Sequence, residues 1–342
     1  MHPVRVLPVP HRGCAGVAVA RAGSLTTIWS VTLPFFAVIG CGYLAERFAV
    51  LNEASRVGLN NFVFYFSLPV LLFSLMAHSD LGTRFDWSFV GAYLLVSVSL
   101  YGLMWWCSPR LFGLNPAEAA LHALACVYGN VGYVGIPLVV VAFGSAASVP
   151  VIVTLTIDLA VMIPLTILCI ETGRGSQQRL LEVAGTSARA LFTNPLVLAI
   201  LGGAAFALLD LRLPQVADNF IKLLGAAAAP CALFALGSSL VGQPLRAAPA
   251  ETASMCIFKL IVHPAVLWWV MFKVFDVDPL WGAAAVVGAS MPVAATVFIM
   301  AQQYRSYVAR SSTVILISTL LSLATISLVA AQFTQNGVLR AG

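Results

Sequence analysis

The sequence predicts an all-α protein that crosses a membrane many times. Of its 342 residues, 60% are hydrophobic and only 9% carry a formal charge, and the apolar residues fall into long runs. Soluble domains carry charge on about a quarter of their residues. The shortage of charge excludes a soluble enzyme of this size. It also excludes a disordered or nucleic-acid-binding chain, so we expect no nucleic-acid partner.

Ten apolar runs are long enough to be spanning helices, which need about 20 apolar residues each. Barrel strands would instead alternate over about ten residues. We number the predicted helices 1 to 10 in chain order. They cover about residues 27–47, 56–77, 87–107, 118–143, 149–170, 194–210, 219–241, 251–274, 279–302 and 308–331.

A charged stretch divides these helices into two sets of five. We expect a poorly ordered N-terminal extension (1–26), a first five-helix repeat (27–171), a linker (172–193), a second repeat (194–331) and a C-terminal tail (332–342). Outside the extension, Lys and Arg are concentrated in the loops on the linker's side. The positive-inside rule therefore predicts a cytoplasmic linker and outward-facing termini.

The two halves align at several helix-breaking positions. A shift of 161 residues brings three pairs into register, and a slip of six residues adds a fourth. The pairs are Pro34 with Pro195, Gly42 with Gly203, Pro69 with Pro230 and, after the slip, Pro137 with Pro292. Because five is odd, the halves enter the membrane from opposite sides. An inverted repeat of this kind is a common plan of secondary transporters.

Helices 4 and 9 contain sequences that a regular helix does not tolerate. Helix 4 carries GNVGYVGIPL (Gly129 to Leu138), and helix 9 carries GASMPVAATVF (Gly288 to Phe298). Glycine costs a helix about 1 kcal/mol and proline about 3 kcal/mol relative to alanine. Broken helices at equivalent positions of the two halves indicate a substrate site at the membrane midplane. The N-termini of the half-helices at such a site carry partial positive charge, which favours an anion. The alternative is a pair of packing kinks without a site.

This pattern predicts a substrate site with polar groups from Asn130 and Thr296 and an aromatic wall from Tyr128 or Tyr133. The predicted substrate-binding residues are Asn130, Tyr133, Gly135, Pro137, Met291, Pro292 and Thr296. No catalytic motif occurs in a fitting context, and the cysteines lack metal-ligand spacing. We therefore expect neither an enzyme nor a cofactor or metal site.

Ionisable residues occur inside two predicted helices: Asp158 in helix 5, and Lys259 with His263 in helix 8. A charge at the bilayer centre costs at least about 2.5 kcal/mol, so such groups face a cavity or a partner. We predict that these three residues couple transport to an ion, H⁺ in preference to Na⁺. The alternative is an Asp158–Lys259 pair that only neutralises itself.

Three stretches resemble signatures of the auxin efflux carrier family: LNNFVFYFSLPVLLFSL (Leu59–Leu75), GNVGYVGIPL and MPVAATVFIMAQQY (Met291–Tyr304). The resemblance covers about residues 27–331. It implies ten helices in two inverted repeats with a sodium/proton-antiporter-like arrangement. Helices 1, 2, 6 and 7 would form a scaffold, and helices 3–5 and 8–10 a transport domain with helices 4 and 9 crossing. Thr296 stands where family members often have asparagine.

We therefore expect a secondary carrier of small organic anions, mono- or dicarboxylates, that works by an elevator-like movement. The resemblance also implies a multi-pass protein of the cell inner membrane and a homodimer through the scaffold helices. Two alternatives stay open. One is a sodium-coupled symporter of the bile-acid type, and the other is a membrane-embedded receptor or sensor.

Overall fold

The computed structural model describes residues 33–79, 85–173, 185, 189–243 and 247–335. The predicted N-terminal extension, most of the predicted linker and the end of the predicted tail lie outside these ranges. Within the described ranges the chain is helical and contains no strand. One isolated antiparallel bridge joins Gly129 and Val293.

We number the helices in chain order, with letters for the two pieces of an interrupted helix. The first five helices are α1 (33–47), α2 (Glu53–Ala77), α3 (Trp87–Phe112), α4a (Pro116–Val127) with α4b (Val131–Phe143), and α5 (Ser145–Gly173). The others are α6 (Pro195–Leu208), α7 (Gln215–Ser239), α8 (Pro249–Lys273), α9a (Pro279–Ala289) with α9b (Ala295–Gln303), and α10 (Val308–Gln335).

Six of the described helices are long and apolar enough to cross a membrane: α2, α3, α5, α7, α8 and α10. Several of them expose large apolar side chains, such as Trp106, Trp269 and Leu320, as contact with lipid tails requires. The predicted interruptions are present, since helix 4 stops at Val127 and helix 9 at Ala289. The last helix continues four residues beyond its predicted end, to Gln335.

Short side chains cap many of these helices. An Asn or Asp oxygen accepts a backbone N–H of the first turn in α2, α3, α4a, α6 and α9a, and such a cap contributes about 1 kcal/mol. The capping residues are Asn52, Asp86, Asn115, Asn194 and Asp278. In α4a, Glu118 completes a reciprocal capping box with Asn115.

Glycines let helices of the two halves approach backbone to backbone. A Cβ on Gly42 of α1 would lie 2.0 Å from the carbonyl oxygen of Phe234 in α7. A Cβ on Gly203 of α6 would lie 2.6 Å from the carbonyl oxygen of Phe73 in α2. Gly42 and Gly203 are a pair that the 161-residue shift aligns, and each sits against the second helix of the other half.

Within the described residues, four π-helical turns interrupt the helices, and each ends two residues before a proline. Proline cannot donate a backbone hydrogen bond and its ring clashes with the preceding turn. A single wide turn of the π type accommodates that defect within a continuous helix. The turns are Val63–Ser67 before Pro69, Val131–Gly135 before Pro137, Asp158–Met162 before Pro164 and Phe258–Val262 before Pro264.

Candidate functional site

The two helix interruptions meet and pair through their backbones. The N–H of Asn130 donates to the carbonyl oxygen of Pro292 at 2.8 Å, and the N–H of Ala294 donates to that of Tyr128 at 3.3 Å. Groups freed by a helix break inside a membrane need partners from protein or from water in a cavity. Here the two breaks supply partners for each other, and together they form what we call the crossover, residues 128–131 and 289–296.

Helix α10 supports the crossover from behind. The N–H of Val293 donates to Ser318 Oγ at 3.1 Å, and Thr325 Oγ1 donates to the carbonyl oxygen of Ser290 at 3.4 Å. Sequence reasoning missed both residues. The available signal was the spacing of Ser318, Ser322 and Thr325, which puts three small polar side chains on one helix face.

Two helix N-termini open onto the crossover without side-chain caps. These are the starts of α4b and α9b. Asn130 occupies the cap position of α4b, yet its side chain makes no capping bond. Its Nδ2 atom has no hydrogen-bond partner although only 5% of the residue is exposed. Uncapped N–H groups and a free amide donor at one place form a setting that favours a bound anion.

The structure brings most of the predicted substrate-binding residues to this place. A Cβ on Gly135 would lie 3.6 Å from Cγ of Met291, which is completely buried. The side chain of Thr296 lies within hydrogen-bonding reach of the Tyr128 hydroxyl. Pro137, in contrast, is buried in α4b beyond the π turn.

A cavity of about 510 Å³ lies beside the crossover, between α2 and α7 on one side and α4b, α9b and α10 on the other. Tyr133 and Ala295 line it close to the crossover. Glu53 and Arg56, at the start of α2, line it at the other end. The Glu53 side chain is 85% exposed, so the cavity extends from the crossover region to the protein surface.

The side-chain ammonium of Lys259 contacts the crossover. Its Nζ atom donates to the carbonyl oxygen of Ala289 at 2.6 Å and lies 3.3 Å from Nδ1 of His263. A Cβ on Gly129 would lie 2.9 Å from the same Nζ, so the glycine leaves room for the ammonium. Ala289 is the last residue of α9a, where a helix dipole favours positive charge. Lys259 therefore adjoins the predicted substrate site, and His263 contacts Lys259.

Asp158 is also buried, and it is held by a residue that sequence reasoning missed. The Tyr93 hydroxyl of α3 donates to Asp158 Oδ1 at 3.0 Å, while Oδ2 has no partner. Asp158 and Lys259 interact electrostatically, but no N···O distance of 4.0 Å or less joins them. The structure thus places the two groups in one neighbourhood without a direct ion pair.

Comparison with known proteins identifies the family. A family model described as membrane transport protein matches residues 27–330. The chain belongs to this family, the auxin efflux carriers. The resemblance of the three sequence stretches is thereby confirmed, and the protein is a multi-pass membrane protein of a transporter family.

Relatives match over most of the chain. A protein of Rhizobium meliloti (strain 1021) named "Putative malonate transporter" is 34% identical over 309 residues, 89% of this chain and 95% of that protein. An "Uncharacterized transporter" of Methanothermobacter thermautotrophicus is 26% identical over 306 residues, 90% of this chain and 97% of that protein. The "Lysosomal cholesterol signaling protein" of Mus musculus is 27% identical over 257 residues, which are 70% of this chain but 29% of that protein.

Proposed function

We propose that this protein is a secondary carrier of small organic anions, mono- or dicarboxylates, that binds its substrate at the crossover. One observation carries the proposal. The uncapped N-termini of α4b and α9b open where the buried amide of Asn130 has no partner. Backbone N–H groups, an amide and the helix dipoles all favour a carboxylate.

Two further features support a small anion. The ammonium of Lys259 adds a positive charge next to Gly129. The cavity of about 510 Å³ is large enough to admit a small carboxylate from the surface. The Rhizobium relative carries the name of a malonate transporter, which agrees with a short dicarboxylate.

The pairing of helix ends supports an inverted repeat. At the start of α3, Asp86 accepts the N–H of Asp278 at the start of α9a, at 3.0 Å. At the start of α10, Arg310 contacts Glu118 of α4a at 3.3 Å and Glu251 of α8 at 3.4 Å. In a repeat of five helices, helix 3 corresponds to helix 8 and helix 4 corresponds to helix 9. The contact of helix 3 with helix 9 is therefore equivalent to the contact of helix 8 with helix 4, as an inverted repeat requires.

The position of the cavity supports an elevator-like movement. It separates α2 and α7, which belong to the proposed scaffold, from α4b, α9b and α10 of the proposed transport domain. It opens beside Arg56, on the face that the positive-inside rule assigns to the cytoplasm. In this proposal the carrier resides in the cell inner membrane with both termini outward, forms a dimer through the scaffold, and is captured open to the cytoplasm.

We include proton coupling through Asp158, Lys259 and His263 in the proposal. All three are buried, and Lys259 links them to the crossover. The sodium-coupled alternative predicts stabilisation by Na⁺. The receptor or sensor alternative is favoured by one observation, the mouse relative named for cholesterol signaling. It predicts binding of a neutral amphiphile in place of a carboxylate.

The test is a thermal-shift measurement on the purified protein with malonate, malate, lactate, indole-acetate and the neutral amphiphile cholesterol, at two pH values, with and without sodium. A ligand at 100 times its dissociation constant adds about 2.7 kcal/mol of stability. We expect a carboxylate to stabilise the wild type and Asn219→Ala, which alters an exposed residue of α7, but not Asn130→Ala. A shift with sodium or cholesterol alone would overturn the anion proposal.

A further inference from the structure

We propose that Tyr93 and Ser97 of α3, together with His263 of α8, form a proton relay between Lys259 at the crossover and Asp158 in α5. The inference rests on the proposed carrier function and adds two residues to its coupling machinery. Neither residue is charged, and both lie in the middle of an apolar helix.

A chain of neighbouring polar side chains connects the two ends. Lys259 Nζ lies 3.3 Å from His263 Nδ1, and His263 Nε2 lies 3.4 Å from Ser97 Oγ. Ser97 follows Tyr93 by one turn of α3 and lies close enough to interact with its hydroxyl, which donates to Asp158 Oδ1 at 3.0 Å. No member is more than 2% exposed. The spacing of four residues within α3 and within α8 stacks each pair on one helix face.

The hydrogen bonds can all point in one direction. With the His263 proton on Nε2, Nδ1 accepts from Lys259, Nε2–H donates to Ser97, Ser97 donates to Tyr93, and Tyr93 donates to Asp158. When each donor passes on its proton, one N–H bond of the ammonium breaks and one O–H bond forms on the carboxylate. Each intermediate group loses one proton and gains one. The products are a neutral amine and a carboxylic acid, and no outside reactant is needed.

The opposite charges are placed as the ends of a relay and not as an ion pair. Buried charges that serve stability alone require direct contact and full hydrogen bonding. Lys259 and Asp158 have no N···O contact within 4.0 Å, and Asp158 Oδ2 has no partner. Both lie in π turns, which occur frequently at functional sites.

Other groups also face the two ends. Tyr128 of the crossover and Cys126 of α4a interact electrostatically with Asp158 and Lys259 respectively. Neither belongs to the chain of side chains described above. The relay is therefore a polar route that the described residues offer from Asp158, which is 1% exposed, to the crossover. The relay makes the charge of Lys259 depend on the protonation of Asp158. The attraction of the crossover for an anion then depends on that protonation too.

The experiment separates substrate exchange from proton-driven transport in proteoliposomes. Exchange of internal malonate for labelled external malonate needs no net proton movement, whereas uptake driven by a pH gradient does. We expect Tyr93→Phe and Ser97→Ala to keep exchange within about twofold and to reduce gradient-driven uptake by about tenfold or more, since they remove proton-transfer groups. Tyr101→Phe is the matched control, because Tyr101 is a buried tyrosine two turns further along α3 whose hydroxyl lies outside this chain.

Three results would overturn the relay: full gradient-driven uptake in both variants, loss of both activities in both variants, or wild-type uptake that does not respond to a pH gradient. In each of these cases the wild type still exchanges malonate, so the proposed carrier function would stand. Absence of exchange in the wild type, with malonate and with the other carboxylates, would instead overturn the proposed function itself.

Discussion

The ammonium of Lys259 donates a hydrogen bond of 2.6 Å to the carbonyl oxygen of Ala289, the last residue of α9a. The ammonium of α8 thus caps the C-terminal end of α9a, and it lies next to Gly129 in the break between α4a and α4b. Three elements, α4, α8 and α9, share this point, so a small change there acts on all of them.

Gly129→Ala tests this arrangement. The added methyl group would lie 2.9 Å from Lys259 Nζ and 3.3 Å from the carbonyl oxygen of Gly288, so the ammonium must move away from Ala289. We expect malonate affinity to fall about tenfold, the equivalent of one charge-assisted hydrogen bond. Gly288→Ala is the control, since its Cβ meets nothing within 4 Å. Equal affinities in the two variants, measured by calorimetry, would contradict the prediction.

Gly42→Ala tests the packing of α1 on α7. Its Cβ would lie 2.0 Å from a backbone oxygen, too close for any side-chain adjustment to relieve. We expect a loss of about 1–3 kcal/mol, the usual cost of overpacking, seen as a lower unfolding midpoint in detergent. Gly40→Ala alters the same helix where nothing lies within 4 Å, and its midpoint should match that of the wild type. A midpoint for Gly42→Ala that also matches would disprove the close contact.

Asp158→Asn tests the coupling role of the carboxyl group. Asparagine can still accept from Tyr93, but it cannot take up a proton. We expect gradient-driven malonate uptake to lose its dependence on pH, while exchange continues. The control is Asp218→Asn, which changes a carboxylate of α7 that is paired with Lys222. An unchanged pH profile in Asp158→Asn would assign Asp158 a purely structural role.

Asp86→Ala tests the contact between the starts of α3 and α9a. Burial acts to raise the pKa of Asp86, but hydrogen bonds from Ser88, Asp278 and Phe89 outweigh it, so the pKa is lowered from its ordinary value of 3.8. The carboxylate therefore stabilises the fold above that value, and this contribution disappears as the pH falls through the lowered pKa.

The expected cost of Asp86→Ala at neutral pH is about 1 kcal/mol, as for other lost helix caps. The difference from the wild type should shrink when unfolding is measured well below the ordinary pKa. Glu53→Gln, which neutralises an exposed carboxylate at the start of α2, serves as the control. A difference that is the same at both pH values would show that the charge of Asp86 contributes nothing.

The position of the crossover was predictable because glycines and prolines, which break helices, mark it in the sequence. Glycine and proline are costly within a regular helix, and the breaks lie at Gly129 and at Pro292, inside the two stretches where these residues cluster. Their meeting place follows from corresponding positions in the two halves. The hydrogen bond from the Asn130 N–H to the Pro292 carbonyl oxygen depends on the tertiary structure, and the sequence predicts only that the two broken regions meet.

The link between Lys259 and Asp158 was not predictable from the sequence. The sequence places the two groups in helices 5 and 8, whereas the structure inserts α3 between them. Tyr93 and Ser97 lie 65 and 166 residues from the partners they contact, Asp158 and His263. A tyrosine and a serine in an apolar run carry no local signal of such partners, because ordinary packing tolerates them equally well.

The π turns have a consequence for how surface positions along these helices are assigned. Each wide turn inserts about one extra residue, and one residue corresponds to about 100° of rotation on a helical wheel. A wheel drawn through α5 from Ser148 therefore misdirects every residue after Met162 by about that angle. Labelling or cross-linking sites chosen from such a wheel would point into protein where lipid was intended. Deleting one residue from the turn would rotate the remainder of the helix by about 100° and bring part of its buried face toward lipid.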